Sequence, residues 1–246
     1  MRYALLADIH ANREAFDAVR AKLKAARIDR VVLLGDLVGY GPDPAYCVDI
    51  AEALVSDGAL AVLGNHDAAV EDGGTHMNAT ARAAISWTRD HLTPRHRAFL
   101  RALPETIREG EVLFVHANAR APRAWDYVTD ADVAERSLRA TDARISIVGH
   151  VHVPHLWRLT PSGVATGHAP VTGVTIPLAT SQVWLAVMGA VGQPRDGKTG
   201  AAYGILDTKT RGLSFERADY DHFTTARKVR EAGLPPALTD RLLKAR

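Results

Sequence analysis

Short apolar runs alternate with longer amphipathic stretches through the first two-thirds of the chain. The runs at 3–7, 31–34, 60–63, 112–115 and 145–148 have the length and the Val/Leu/Ile content of strands. Between them, residues 14–26 carry Phe16, Val19 and Leu23 at helical spacing, and 44–55 opens on Pro44, a residue suited to a first helical turn. Residues 79–91, 94–103 and 130–140 read as further helices. Strands that alternate with helices predict βαβ units and a largely parallel sheet.

From His155 onward valine, threonine and glycine dominate, with turn signals at 161–163, 167–170 and 195–197. The runs 202–207 and 213–219 read as a hairpin, and helices are expected at 221–231 and 236–244. This region reads as a second, more antiparallel sheet. No proline- or serine-rich linker divides the chain and no repeat is visible, so a single domain over 1–246 is expected.

Composition narrows the class. At 246 residues, 47% hydrophobic and 24% charged, the chain can bury a sizeable core and is not a disordered segment. A net charge of +2, with both signs interspersed, gives no basis for stable nucleic-acid binding or for a membrane partner. Cys47 is the lone cysteine, so no internal disulfide forms, which fits a reducing cytoplasm. The apolar stretch at the N-terminus is too short for a signal sequence, and the run near 183–191 is far shorter than a membrane span. A cytoplasmic, soluble protein is expected.

Metal-ligand chemistry gathers where the predicted strands end. Asp8 and His10 follow the first, Asp36 the second, Asn65-His66-Asp67 the third, His116 the fourth, and His150 and His152 the fifth. Open α/β sheets bind ligands outside the carboxyl ends of their strands, so these groups should converge in one crevice. Taken singly, each aspartate reads as a cap or turn former and each histidine as a surface or satisfied core residue. Their common placement is what those readings leave unexplained. Carboxylate, imidazole and amide donors without thiolate suit Mn, Fe, Zn or Ni in a reactive site better than a structural zinc. Seven donors are too many for one ion with an open position and suit two ions sharing a carboxylate.

In order, the motifs are DIH, GD, GNHD, a lone His and GHVH, spanning Asp8 to His152. The series resembles that of the calcineurin-like metallophosphoesterase superfamily. The stretches GDLVGYGPDP and VGQPRDG resemble its prokaryotic phosphodiesterase or diadenosine-tetraphosphatase-like branch. The resemblance implies a four-layer αββα sandwich, two mixed β-sheets flanked by helices, with the metal site at the strand carboxyl ends. It places Asp8, His10 and His152 on one divalent ion and Asn65, His116 and His150 on a second, with Asp36 bridging. Manganese comes first among the candidate ions, ahead of Fe, Zn, Ni and Mg. It also implies hydrolysis of a phosphate ester, of a small phosphorylated or nucleotide substrate, by attack of a metal-bridging hydroxide. His66 would sit at the leaving oxygen as acid or transition-state stabiliser, with Asp67 orienting its ring.

Two alternatives carry less weight. Ser/Thr protein phosphatases of the superfamily carry an arginine soon after GD, where this chain has Gly39, Tyr40 and Gly41, and their GNHE is GNHD here. A non-catalytic scaffold on the same fold should have lost ligands or the GNH histidine, and this chain keeps them all. Relatives commonly show Gly-Ser after the lone histidine, and here Ala117-Asn118 follows. Four further residues are candidates for substrate contact. Arg120 and Arg195 offer forks that match phosphate oxygens, and Asn12 and Tyr40 flank the crevice, where packing or capping is an equal reading. Residues 68–78 and 117–130 are expected to be loops that shape the pocket.

Overall fold

The computed structural model describes residues 1–246. Its first part runs β1 (Arg2–Leu6), α1 (Arg13–Ala25), β2 (Arg30–Leu33), α2 (Pro44–Ser56), β3 (Leu60–Ala61) and α3 (Asn65–Asp72). There follow α4 (Ala79–Asp90), α5 (Pro94–Arg101), β4 (Thr106–Glu109), β5 (Val112–Val115), α6 (Ala131–Arg139) and β6 (Ile145–His152). The last part is β7 (His155–Leu159), β8 (Ala165–His168), β9 (Thr175–Pro177), β10 (Val183–Gly189), β11 (Ala201–Asp207), β12 (Gly212–Ala218), α7 (His222–Glu231) and α8 (Pro236–Lys244).

Alternation along β1 sets the layers. Ala4 and Leu6 point outward and pack with Phe16 and Val19 of α1 and Val48 of α2. Tyr3 and Leu5 point inward and meet Phe114, Ile147 and Met188 of the opposite sheet. Both faces of the strand are buried, which is why it reads as a continuous apolar run. The first sheet has the order β3-β2-β1-β11-β12-β9 and the second β4-β5-β6-β10-β7-β8. Each sheet is mixed. Strands β1, β2 and β3 are parallel, as are β5, β6 and β10, and the remaining pairs are antiparallel. The amphipathic helix α6 covers the outer face of the second sheet through Ala134 and Leu138 against Leu185 and Trp157. The result is the expected four-layer αββα sandwich.

Three local expectations fail. The region after His155 does not form a sheet of its own: β9, β11 and β12 extend the first sheet, and β7, β8 and β10 extend the second. The free edges of β1 and β6 each need a partner, and β11 and β10 supply them. The third apolar run gives only the two-residue β3, and the chain then enters α3, a helix too short and polar to show a period. The fifth run continues through GHVH, so His150 and His152 lie within β6 rather than beyond it. No helix is long and apolar enough to cross a membrane.

Candidate metal centre

The two sheets meet through a bridge between Ala7 and Ala190, just past the ends of β1 and β10. Here the backbone turns sharply. Asp8, His10, Asp36, His150 and His152 all hold φ between 49° and 68°, the left-handed region that costs a non-glycine residue about 1–3 kcal/mol. Cross-loop bonds hold the strain in place: Asp8 N–H donates to Gly35 O at 3.1 Å and His10 N–H to Asp36 O at 2.9 Å. Gly64 is needed for a different reason, since a Cβ there would stand 2.1 Å from Asp36 N. Its absence lets the start of α3 close on Asp36, whose Oδ1 accepts from His66 N–H at 2.8 Å.

Asp36 then presents its other oxygen to two groups at once. Oδ2 lies 3.7 Å from His10 Nε2 and 3.5 Å from His116 Nε2. On the first side, His10 Nε2 and His152 Nε2 stand 3.0 Å apart, with Asp8 Oδ1 3.5 Å from the latter. On the second, His116 Nε2 lies 3.1 Å from Asn65 Oδ1 and 3.2 Å from His150 Nδ1. Apart from Asn65, these side chains are buried. The structure thus brings all seven sequence-predicted donors together.

The outer nitrogen of each imidazole touches a backbone carbonyl. His10 Nδ1 meets Val38 O at 3.2 Å, His116 Nδ1 meets Leu34 O at 2.7 Å, and His152 Nδ1 meets Gln193 O at 2.7 Å. For His150 the partner is Trp125 O, 2.9 Å from Nε2. A carbonyl only accepts, so each outer nitrogen carries the hydrogen, and in neutral His10, His150 and His152 the inner one turns a lone pair on the cluster. Burial holds His10 and His152 well below the ordinary imidazole range, so both are neutral and their bare nitrogens face each other. That arrangement is repulsive by itself and is relieved by a cation between them. Ligand atoms of Asp8, His10 and His152, and of Asp36, His116 and His150, lie close enough to hold an ion. The donor set fits a divalent metal.

The charges around Asp36 agree. Burial would raise its pKa, but His116 and His66 outweigh that and hold it well below the carboxylate range. Burial likewise opposes charge on His116, yet Asp36 and Asp8 lift it to about 9. Burial pushes Asp8 up to about 7.

These shifts predict how metal-stripped protein responds to acid. Burial holds His66 to about 4 and His150 to about 3, and depresses His10 and His152 as well, whereas the unfolded chain protonates all four near 6.5. Stability from these groups is present above 6.5 and lost as the pH falls. Asp8 and Asp67, raised to about 7, act in the opposite sense and favour the folded state at low pH. So does His116, which Asp36 and Asp8 lift to about 9 and which also favours the folded state as the pH falls. Four depressed imidazoles outnumber these two carboxylates and His116, so the urea midpoint of chelated protein should be lower near pH 5 than near pH 6.5. A higher midpoint at the acidic pH would show that the carboxylates and His116 dominate.

Other predicted residues divide. His66 lines the cleft, edge-on to His10 with ring centroids 4.8 Å apart and against Tyr40 at 4.4 Å. Tyr40 lines it too, and Arg195 reaches over the Tyr40 ring. Asp67 does not orient His66. Its Oδ1 accepts from Leu37 and Val38 N–H and its Oδ2 from Gly64 N–H, so it clamps the Asp36 turn to α3. Nothing contacts the buried His66 Nδ1 within hydrogen-bond reach. Asn12 is structural: it caps α1 through Ala15 N–H and donates to Gly192 O at 2.8 Å. Arg120 is exposed, and its backbone N–H donates to Asn118 Oδ1 at 2.9 Å, while no hydrogen bond joins its guanidinium to the cluster.

The sequence missed Trp125 and Tyr127. Trp125 orients His150 through a carbonyl that no residue code signals, and Tyr127 stacks on His150 at 4.1 Å and 19°. Together with Tyr40 and His66 they wall a cleft of about 310 Å³ beside the cluster. Part of its rim is α3, where loop was expected over 68–78.

A two-sheet sandwich carrying this motif series at its strand ends defines a metallophosphoesterase-type protein. The family model of the calcineurin-like phosphoesterase superfamily domain matches residues 1–211, and the chain belongs to that superfamily. It is 33% identical over 249 residues to an uncharacterized protein of Methanocaldococcus jannaschii, covering 99% of this chain and 98% of that one. A metallophosphoesterase from Sphaerobacter thermophilus, known from its crystal structure, is 37% identical with a TM-score of 0.88 and full coverage of both chains. The symmetrical bis(5'-nucleosyl)-tetraphosphatase of Chromohalobacter salexigens is 33% identical over 147 residues, covering 54% of this chain and 51% of that enzyme.

Proposed function

We propose that this protein is a two-metal phosphoesterase that hydrolyses a phosphate ester of a small, nucleotide-like substrate. The observation that carries the reading is Asp36 Oδ2, which stands between His10 Nε2 at 3.7 Å and His116 Nε2 at 3.5 Å. One oxygen faces both donor sets, with Asp8, His10 and His152 on one side and Asn65, His116 and His150 on the other. Two divalent ions, when bound, would supply Lewis acidity toward phosphoryl oxygens and lower the pKa of water.

The chain's own groups do the rest. Each imidazole is held in one orientation by its carbonyl partner, and Asp8 is held by His150 N–H at 2.9 Å, so the donors are preorganised. His66 is neutral at physiological pH, because burial holds it to about 4. A neutral ring favours hydrogen-bond donation to the leaving oxygen over delivery of a proton from an imidazolium. The cleft of about 310 Å³ has the size of a small-molecule site, and the faces of Tyr40, Trp125 and Tyr127 suit a flat base. A relative named for acting on dinucleoside tetraphosphates fits the same substrate class.

Chelated protein titrated with Mn²⁺ and assayed on bis(p-nitrophenyl) phosphate and p-nitrophenyl phosphate tests the proposal. Turnover should appear with metal and saturate at about two equivalents per chain. Saturation at a single equivalent refutes the shared centre, and metal-loaded protein inert on both esters and on nucleotide substrates refutes the enzyme.

A further inference from the structure

Tyr40 carries two arginines from distant parts of the chain. The Arg195 guanidinium, in the loop after β10, lies 5.9 Å from the ring centroid, and that of Arg241, on α8, lies 5.8 Å from it. Arg241 is beyond residues 1–211, so it comes from outside the matched family domain. The pair α7–α8 is docked by Val229, Leu238 and Leu242 in the same apolar cluster as Ala81, Ala84 and Tyr40, which fixes α8 beside the site.

Neither guanidinium has a carboxylate. Arg195 reaches only the Gln193 side chain, through Nη2 at 3.0 Å, and its Nε is buried without a partner. Arg241 is half-buried, and its contact is the Tyr40 ring. Other half-buried arginines vary: Arg211 pairs with Glu111, Arg217 with Asp196 and Arg30 with Glu109, whereas Arg97 and Arg144 meet only backbone carbonyls. What sets Arg195 and Arg241 apart is that both lie against the Tyr40 ring, which itself touches His10 and His66. A desolvated guanidinium without a counter-charge is costly unless an anion completes it. The place is also the right one, since Tyr40 is in ring contact with His66 and both line the cleft. Two divalent ions would exceed the charge of Asp8 and Asp36, and the arginines add to the excess, so a polyanion complements the site better than a singly charged diester.

We propose that Arg195 and Arg241 form a second phosphoryl-binding subsite beside His66, and that the substrate carries a further phosphoryl group next to the one attacked, as a nucleoside polyphosphate does. This rests on the phosphoesterase reading above and adds to it a substrate class and a role for the C-terminal helix. Planar forks suit phosphate oxygens, and the tyrosine face keeps both cations aimed without neutralising them.

The test compares AMP with ADP as inhibitors of Mn²⁺-loaded full-length protein assayed on bis(p-nitrophenyl) phosphate. In the wild type ADP should inhibit about tenfold more tightly than AMP, the size of one charge-assisted hydrogen bond. Arg241→Gln and Arg195→Gln should each bring the two constants to within about twofold, with melting temperature and metal content unchanged. Arg241→Lys should fall between. Arg230→Gln, which removes an exposed charge of α7, should keep the wild-type ratio. A ratio that survives in folded, metal-loaded Arg241→Gln, or that falls equally in Arg230→Gln, overturns the subsite. Should the wild type turn over no ester, the same ratio read by equilibrium dialysis of labelled nucleotides decides the subsite separately from the enzyme.

Discussion

Asp36→Asn is expected to lose both metal ions and about a thousandfold or more in turnover, while the protein still folds. Asparagine has the shape of aspartate, so its Oδ1 can still accept from His66 N–H and the turn into α3 is preserved. What disappears is the negative charge on the oxygen facing His10 and His116. His116 loses the partner that lifts it to about 9, and each donor set loses its shared anion. Metal content measured by plasma mass spectrometry, beside the rate on the diester, checks this. Retention of one full equivalent would mean that Asp36 serves one ion only.

His66→Ala is expected to lower kcat by about 10²–10⁴-fold and to leave metal content intact. Its ring is packed by His10, Tyr40 and the backbone at Gly39, where a Cβ would stand 2.3 Å from His66 Nδ1, so it is placed and not free to swing. A rival role is available, because ligand atoms of His10, Asp36 and His66 also lie within 4.8 Å of one another. The two roles part on metal content. Loss of an ion in His66→Ala would make His66 a ligand, whereas normal metal with lost turnover keeps it at the leaving group. Melting temperature separates either result from a packing defect, since His66 is buried.

Much of the centre is legible because its donors follow or close apolar runs, and strands with both faces buried announce themselves as such runs. Asp8, His10, Asp36, Asn65, His116, His150 and His152 were placed together by that logic and by their order, and they do converge. Asp67 takes a different part from the one its place beside His66 suggests. Adjacency to His66 in sequence pointed to the imidazole, but at the start of a helix an aspartate side chain turns to backbone N–H groups, and here it binds three of them. Of the readings open for Asn12, substrate contact or capping, the structure shows the cap, with a second bond that reaches Gly192 across the fold.

The sequence by itself determined the donors, the β/α alternation of the first part, the C-terminal helices and, through its motif series, the family. These are local facts: residue type, spacing, and the run length that burial of a strand demands. Only the tertiary structure decided which strands share a sheet, because an apolar run does not say whose edge it satisfies, and β10 and β11 each close a different one. It alone decided the tautomers, which depend on carbonyls of Leu34, Val38, Trp125 and Gln193 that every residue type possesses. And it alone brought Arg241 to Tyr40, a contact made by the apolar packing of α7–α8 with no trace in the spacing of either residue.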